Sequence, residues 1–96
     1  MSITRINHFE AASGREMELF EFMKGVVADV SSADGCINCQ LLQGAENGAQ
    51  LAIIEEWVSI AHHQAAASII PKERIEKAMA FFAKPPFGIY YKTESN

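Results

Sequence analysis

Apolar residues along the chain recur with two different spacings, and these spacings predict seven elements. Residues 3–9 are rich in β-branched and aromatic side chains and lead into a turn, which predicts a first strand. Ser13 and Glu16 form a capping-box pattern, and apolar residues at helical spacing then continue to Val30, which predicts a long helix. The remaining predicted elements are a hairpin with strands at 36–43 and 50–57, a helix from Ser59 to Ala67, a helix that begins at Pro71, and a strand at 87–93.

The order of these elements predicts an α+β fold. Strand, helix, two strands, two short helices and a strand make the split βαβ plan of a ferredoxin-like sandwich with a four-stranded antiparallel sheet. Helices are expected to cover one face of the sheet, and apolar side chains on the other face would be buried by sheet-to-sheet pairing with a second copy. No repeat or linker interrupts the sequence, so residues 1–96 are expected to form one domain.

Composition and charge narrow the classes of function. The chain is 49% hydrophobic and 21% charged, which is typical of a folded domain. A net charge of -4 without a basic cluster disfavours nucleic-acid binding. No apolar run approaches the roughly 20 residues of a membrane helix, and the first residues do not resemble a signal peptide. Two cysteines, Cys36 and Cys39, are too few for a disulfide scaffold and suit a reducing compartment, so we expect a cytoplasmic protein with no membrane partner.

Four segments, taken in order, resemble the antibiotic biosynthesis monooxygenase family. They are Thr4-Arg5-Ile6-Asn7-His8-Phe9, Gly35-Cys36, Glu56-Trp57-x-Ser59-x-x-x-His63 and Pro86-x-Gly88-x-Tyr90-Tyr91. The resemblance spans nearly the whole chain. It implies a homodimer whose two sheets close into an α/β barrel, with a cavity between sheet and helices in each subunit. It also implies that dioxygen oxidises a phenolic or quinol-type substrate without flavin, haem or metal.

Such a reaction needs a proton acceptor, donors for a developing oxyanion and an apolar pocket. His63 is the predicted acceptor, because imidazole titrates nearest neutrality and the residue falls at the position of the family's histidine. Asn7 and Trp57 are the predicted oxyanion donors, and the indole also offers a flat apolar wall. The predicted substrate contacts are apolar or aromatic, and they are Phe9, Phe20, Met23, Phe82 and Tyr91. Each of these residues could instead have an ordinary structural role in the core or at the surface.

Two other clusters do not predict a site. Cys36 and Cys39 have the spacing of half a zinc site, but no second pair exists, and residues three apart on a strand face opposite sides. Glu55 and Glu56 point to opposite faces of their strand and so do not form a carboxylate pair. One of the two is expected to serve the dimer or a helix-cap contact. No metal site is therefore predicted, and the resemblance implies that no cofactor is needed.

Two further functions remain open at this point. The chain could be a non-catalytic dimeric protein that holds a hydrophobic small molecule, for example in a stress response. It could also be a haem-binding or haem-degrading member of the same superfamily, with His63 as the iron ligand. Fold alone does not separate these functions, because one fold supports many chemistries.

Overall fold

The computed structural model describes residues 2–94 and contains the seven elements in the predicted order. The strands are β1 (Ile3–Glu10), β2 (Cys36–Gln43), β3 (Gln50–Trp57) and β4 (Phe87–Lys92). The helices are α1 (Glu16–Ser31), α2 (Ile60–Ser68) and α3 (Lys72–Met79). The predicted α+β class with a four-stranded antiparallel sheet is confirmed.

The beginning of α1 differs from the prediction. The capping-box pattern places the helix boundary at Ser13, but α1 begins at Glu16, with Arg15 as its N-cap and no side-chain capping bond. The Glu16 carboxylate instead accepts a hydrogen bond of 2.9 Å from the backbone N–H of Gly14. Gly14 has φ +79, a conformation that glycine adopts without strain. The turn before the helix therefore extends through Gly14.

The strand order is β2-β3-β1-β4, so β1 and β3 form the centre of the sheet. Opposite residues on neighbouring strands point to the same face. Asn7 lies opposite Ile53, and Arg5 lies opposite both Glu55 and Tyr90. This face is the one that the helices cover, and its buried apolar core contains Ala11, Leu19, Met23, Leu51, Ile53 and Phe81. The register thus brings several polar residues into a mostly apolar layer.

A β-bulge changes the orientation predicted for the two cysteines. The register of β2 shifts between Cys36 and Asn38, so that Cys36 lies opposite Trp57 and Cys39 lies opposite Glu55. Both thiols are therefore on the helix-covered side, and the prediction that they face opposite sides was wrong, because a bulge adds one residue to the strand. Within residues 2–94, no group of three or more His, Cys, Asp or Glu side chains could hold a metal ion.

The second face of the sheet carries an uncovered row of isoleucines. Ile6 lies opposite Ile54 on one side and opposite Ile89 on the other, so the three side chains cross β3, β1 and β4 together. Ile89 is 44% exposed, and further exposed apolar or aromatic side chains on this face are Phe87 and Tyr91 of β4 and Leu42 of β2. None of the helices described between residues 2 and 94 is both long and apolar enough to cross a membrane.

Candidate functional site

A cavity of about 830 Å³ lies between the helix-covered face of the sheet and the helices. Its walls are mainly apolar, and they include Phe9, Phe22, Met23, Val26, Ile53, Ile70 and Phe82. Asn7, Glu55, Trp57 and His63 also line it. Hydrogen bonds join Asn7 and Trp57 to Glu55, and His63 lies 3.8 Å from the same carboxylate. The cavity therefore combines an apolar body with a compact polar region.

Glu55 is the centre of the polar cluster. It points inward from β3 and is only 4% exposed, and it is the one buried charged residue within the described part of the chain. Its Oε1 accepts a hydrogen bond of 2.8 Å from the indole N–H of Trp57, and its Oε2 accepts one of 2.9 Å from the amide of Asn7. Burial raises the pKa of Glu55, while these two hydrogen bonds and the charge of Arg5 act in the opposite direction.

His63 extends the cluster from α2, whose first turn is capped by the side chain of Ser59. The imidazole Nε2 lies 3.8 Å from Oε1 of Glu55, and a hydrogen bond of 2.5 Å joins Nδ1 to the hydroxyl of Tyr90. Burial lowers the pKa of His63, and the charge of Arg5 lowers it further. The lowered pKa favours the neutral form of the imidazole, and each ring nitrogen is directed at a protein group.

Arg5 and Tyr90 support the cluster from the neighbouring strands. The guanidinium of Arg5 lies 4.5 Å from the centre of the Tyr90 ring, which is a favourable cation–π arrangement. The Arg5 Nε also donates a hydrogen bond of 2.9 Å to the side-chain oxygen of Asn7, which fixes the orientation of that amide. Gly88 lies opposite Asn7, and a Cβ there would overlap the side chains of both Asn7 and Arg5. The side chains of Asn7 and Arg5 therefore fit here because residue 88 is a glycine.

The structure brings together Asn7, Trp57 and His63, the three residues predicted to carry chemistry. One of the predicted roles does not fit the observed hydrogen bonds. The indole of Trp57 has a single N–H, and Glu55 accepts it, so Trp57 is not free to act as an oxyanion donor. Asn7 uses one amide hydrogen for Glu55 and retains a second.

The five predicted substrate contacts divide into two groups. Phe9, Met23 and Phe82 line the cavity. Phe20 packs against the core and does not line the cavity. Tyr91 is 45% exposed and is on the uncovered face of the sheet, because strand alternation turns Tyr90 inward instead. The prediction thus placed Tyr91 on the wrong face.

Sequence analysis missed Glu55, although the sequence carries a signal for it. In β3, residues Leu51, Ile53 and Trp57 share an inward face, and Glu55 occupies the remaining inward position of that alternation. A carboxylate in an otherwise apolar series is rarely buried unless it is paired or functional. Tyr90 had no comparable signal, because its position opposite Arg5 depends on the register of β4 on β1.

The description of the family model that matches residues 2–68 is antibiotic biosynthesis monooxygenase. The chain belongs to this family. The matched region extends from β1 through α2 and includes Asn7, Glu55, Trp57 and His63. Tyr90 lies beyond it. No protein of curated function matches the sequence.

Solved structures from several organisms share the fold. A conserved protein from Methanosarcina mazei Go1 aligns with a TM-score of 0.87 and 18% identity over 98% of this chain and 94% of its own. Rv0793 from Mycobacterium tuberculosis aligns with a TM-score of 0.86 and 14% identity over 100% and 98%. A mutant of SnoaB, described as a cofactor-independent oxygenase from Streptomyces nogalater, aligns with a TM-score of 0.82 and 14% identity over 99% and 95%. At identities this low, the likeness establishes the fold alone.

Proposed function

We propose that this chain is a cofactor-independent monooxygenase that oxidises a small phenolic or quinol-type aromatic compound with dioxygen. The observation that carries the proposal is that the carboxylate of Glu55 and the imidazole of His63 lie 3.8 Å apart at the wall of an apolar cavity. Membership of the antibiotic biosynthesis monooxygenase family and the fold shared with an oxygenase support it.

The cavity suits an aromatic ligand in size and in lining. Its volume of about 830 Å³ is within the range of roughly 300–1,000 Å³ that is typical of small-molecule sites. Aromatic walls from Phe9, Phe22 and Phe82 offer flat apolar contacts. A polar cluster at one part of such a pocket orients a ligand that carries a hydroxyl group, because that group finds its hydrogen-bond partners only there.

The reaction begins with removal of the phenolic proton, since the phenolate is a much better one-electron donor than the phenol. The phenolate transfers one electron to dioxygen, which leaves a substrate radical and superoxide. These combine to form a carbon–oxygen bond at a ring carbon that bears hydrogen. Uptake of one proton gives a hydroperoxide, and loss of water from it leaves the second oxygen atom as a carbonyl. The substrate supplies all the electrons.

The protein's part in this sequence is to bind, orient and exchange a proton. The second amide hydrogen of Asn7 is available to the phenolate oxygen, and the bond from Arg5 holds that amide in place. Trp57 provides an aromatic wall and fixes the carboxylate of Glu55. The apolar lining excludes water, which strengthens the electrostatic interactions inside the cavity.

We further propose that the protein acts as a homodimer through the uncovered face of its sheet. The isoleucine row of Ile6, Ile54 and Ile89 crosses three strands on this face. Contiguous apolar surface of this kind is costly in water. A second copy related by a two-fold axis would bury the row against itself.

Oxygen uptake with a panel of quinols and polycyclic phenols tests the proposed activity. With ¹⁸O-labelled dioxygen, one labelled atom should appear in the product and the other in water. Asn7→Ala and His63→Ala should each reduce turnover steeply. Binding of panel compounds, detected by Trp57 fluorescence, without any oxygen uptake would contradict the proposal and favour a non-catalytic ligand-binding protein.

Haem binding is less well supported, because both ring nitrogens of His63 face protein groups. Nδ1 is bonded to Tyr90 and Nε2 is directed at Glu55, so neither is free to ligate an iron. A haem titration addresses this directly. A Soret shift that disappears in His63→Ala would revive the haem alternative.

A further inference from the structure

Glu55 is placed to accept a proton directly from a ligand in the cavity. It lines the cavity, and each of its oxygens accepts one hydrogen bond from the protein. A carboxylate offers about four lone-pair sites, so two remain after Trp57 and Asn7 have donated. His63 is less well placed, because both of its nitrogens are already directed at Tyr90 and Glu55.

Glu55, His63 and Tyr90 form a continuous row of proton-carrying groups. The separation between Glu55 Oε1 and His63 Nε2 is 3.8 Å, and that between His63 Nδ1 and the Tyr90 hydroxyl is 2.5 Å. The longer gap needs only a small movement, and such contacts commonly tighten when a substrate binds. Tyr90 is half-buried on β4, which is an edge strand, so the row leads from the cavity toward solvent.

Burial shifts the pKa values of Glu55 and His63 in opposite directions. It raises the pKa of the carboxyl and lowers the pKa of the imidazole. Both shifts reduce the preference of a proton for the imidazole over the carboxyl. Paired groups with oppositely shifted pKa values are characteristic of sites for acid–base chemistry.

Several other ionisable groups surround Glu55 and His63. Arg5 faces it from β1 as a fixed positive charge, and Tyr90 faces it from β4. From β2, burial raises the pKa of Cys39 to about 12, so that thiol stays neutral, and the pKa of Cys36 is raised as well. On the helices, the other charged groups lining the cavity include Asp29 and Arg74, which form an ion pair with each other.

We propose that Glu55 takes the phenolic proton of the substrate, and that His63 and Tyr90 carry it from Glu55 toward the edge of the sheet. The substrate O–H bond breaks as a Glu55 O–H bond forms. That proton then passes to Nε2 of His63 while Nδ1 releases its own proton to the oxygen of Tyr90, whose hydroxyl hydrogen moves to water. No electrons are transferred in these steps. Glu55 is thus a catalytic residue, and His63 and Tyr90 act through it. This assignment rests on the proposed function.

The first test measures ionisation of a bound phenol without oxygen. A nitrophenol, whose neutral and anionic forms differ in absorbance, is titrated anaerobically into the wild-type protein and into Glu55→Gln at a pH below the pKa of the free phenol. The bound phenol should be anionic in the wild type and neutral in the variant. An anion in both proteins, or a neutral phenol in both, would overturn the assignment.

The second test uses turnover in two matched variants. Tyr90→Phe removes only the hydroxyl of the row, and Tyr91→Phe makes the same change on the opposite face of the sheet. Tyr90→Phe should lower kcat several-fold with little change in KM, and a small diffusible buffer should restore the rate because it replaces the missing proton carrier. Tyr91→Phe should behave as the wild type. A loss in Tyr90→Phe that buffer does not restore would exclude Tyr90 from proton transfer.

These tests separate the assignment from the proposed function. Glu55→Gln should reduce kcat by roughly a hundredfold or more, as expected for loss of a general base, and thermal melting will show whether it folds. Full oxygen uptake in a folded Glu55→Gln would overturn the role of Glu55 but leave the monooxygenase activity standing. If the wild type ionises the nitrophenol but takes up no oxygen with any phenol, the role of Glu55 stands and the monooxygenase activity is rejected.

Discussion

The indole N–H of Trp57 donates a hydrogen bond of 2.8 Å to the carboxylate of Glu55, two residues earlier on the same strand. Both side chains point inward because residues i and i+2 of a strand share a face. The bond satisfies the only polar atom of a side chain that is 1% exposed, and it also fixes one oxygen of a buried charge. A buried side chain, Trp57, therefore positions Glu55, the proposed proton acceptor.

Trp57→Phe should preserve the aromatic wall but remove the bond to Glu55. That bond lowers the pKa of the carboxyl, so without it the pKa should rise further. The rising limb of kcat/KM against pH, which reports the free enzyme's base, should then move to higher pH. Unfolding in urea, followed by circular dichroism, should show a loss of about 1–3 kcal/mol. An unchanged pH profile would mean that the hydrogen bond from Trp57 does not affect the pKa of Glu55.

Glu55→Gln should change how stability depends on pH. Burial raises the folded-state pKa of Glu55 above its ordinary 4.5, so its contribution to stability is complete below that value and is lost as pH rises through the raised pKa. Glutamine does not ionise, so Glu55→Gln does not lose this stability as pH rises. The free energy of unfolding of Glu55→Gln relative to wild type should therefore increase from pH 4.5 to pH 8.

The contribution of His63 to stability changes with pH in the opposite direction. Its lowered pKa stabilises the fold above the ordinary value of 6.5, and the contribution is lost as pH falls through the folded value. Glu55→Gln retains His63, so the difference between the two curves reports the carboxyl together with its coupling to the imidazole 3.8 Å away. A flat difference between the wild-type and variant curves would show that burial does not perturb Glu55.

Gly35→Ala should be more destabilising than Gly14→Ala. Both glycines have positive φ, at +84 and +79, so each alanine meets the same backbone strain. A Cβ at Gly35 would also overlap the side chain of His62, whereas one at Gly14 meets nothing within 4 Å. We expect losses of about 1–2 kcal/mol for Gly14→Ala and about 2–4 kcal/mol for Gly35→Ala in urea unfolding. Equal losses would show that His62 moves aside freely.

Ile89→Lys should convert the proposed homodimer to a monomer. The substitution puts a charge at one end of the isoleucine row, where Ile89 lies opposite Ile6. Burial of an unpaired charge at an interface is strongly unfavourable. Val58→Lys is the matched control, since Val58 is 51% exposed and lies after the end of β3. Analytical ultracentrifugation should give a monomer for the first variant and a dimer for the second. A monomeric wild type would reject the dimer.

The sequence by itself determined the order of the elements, the faces of the central strands and the family. Alternation puts Asn7 on the same face of the first strand as Phe9, and the spacing of apolar residues indicates the helices, because both patterns depend only on local backbone geometry. The same local rules failed where one extra residue entered the strand between Cys36 and Asn38, since a bulge is not visible in the alternation.

Only the tertiary structure decided which polar groups meet. The register of β1 on β3 and β4 places Arg5 beside both Glu55 and Tyr90, and the docking of α2 brings His63 between them. Residues from four elements therefore converge on one carboxylate. Local sequence patterns indicate which side of an element is buried. They do not indicate what lies opposite a buried side chain, because register and docking arise from packing across the whole domain.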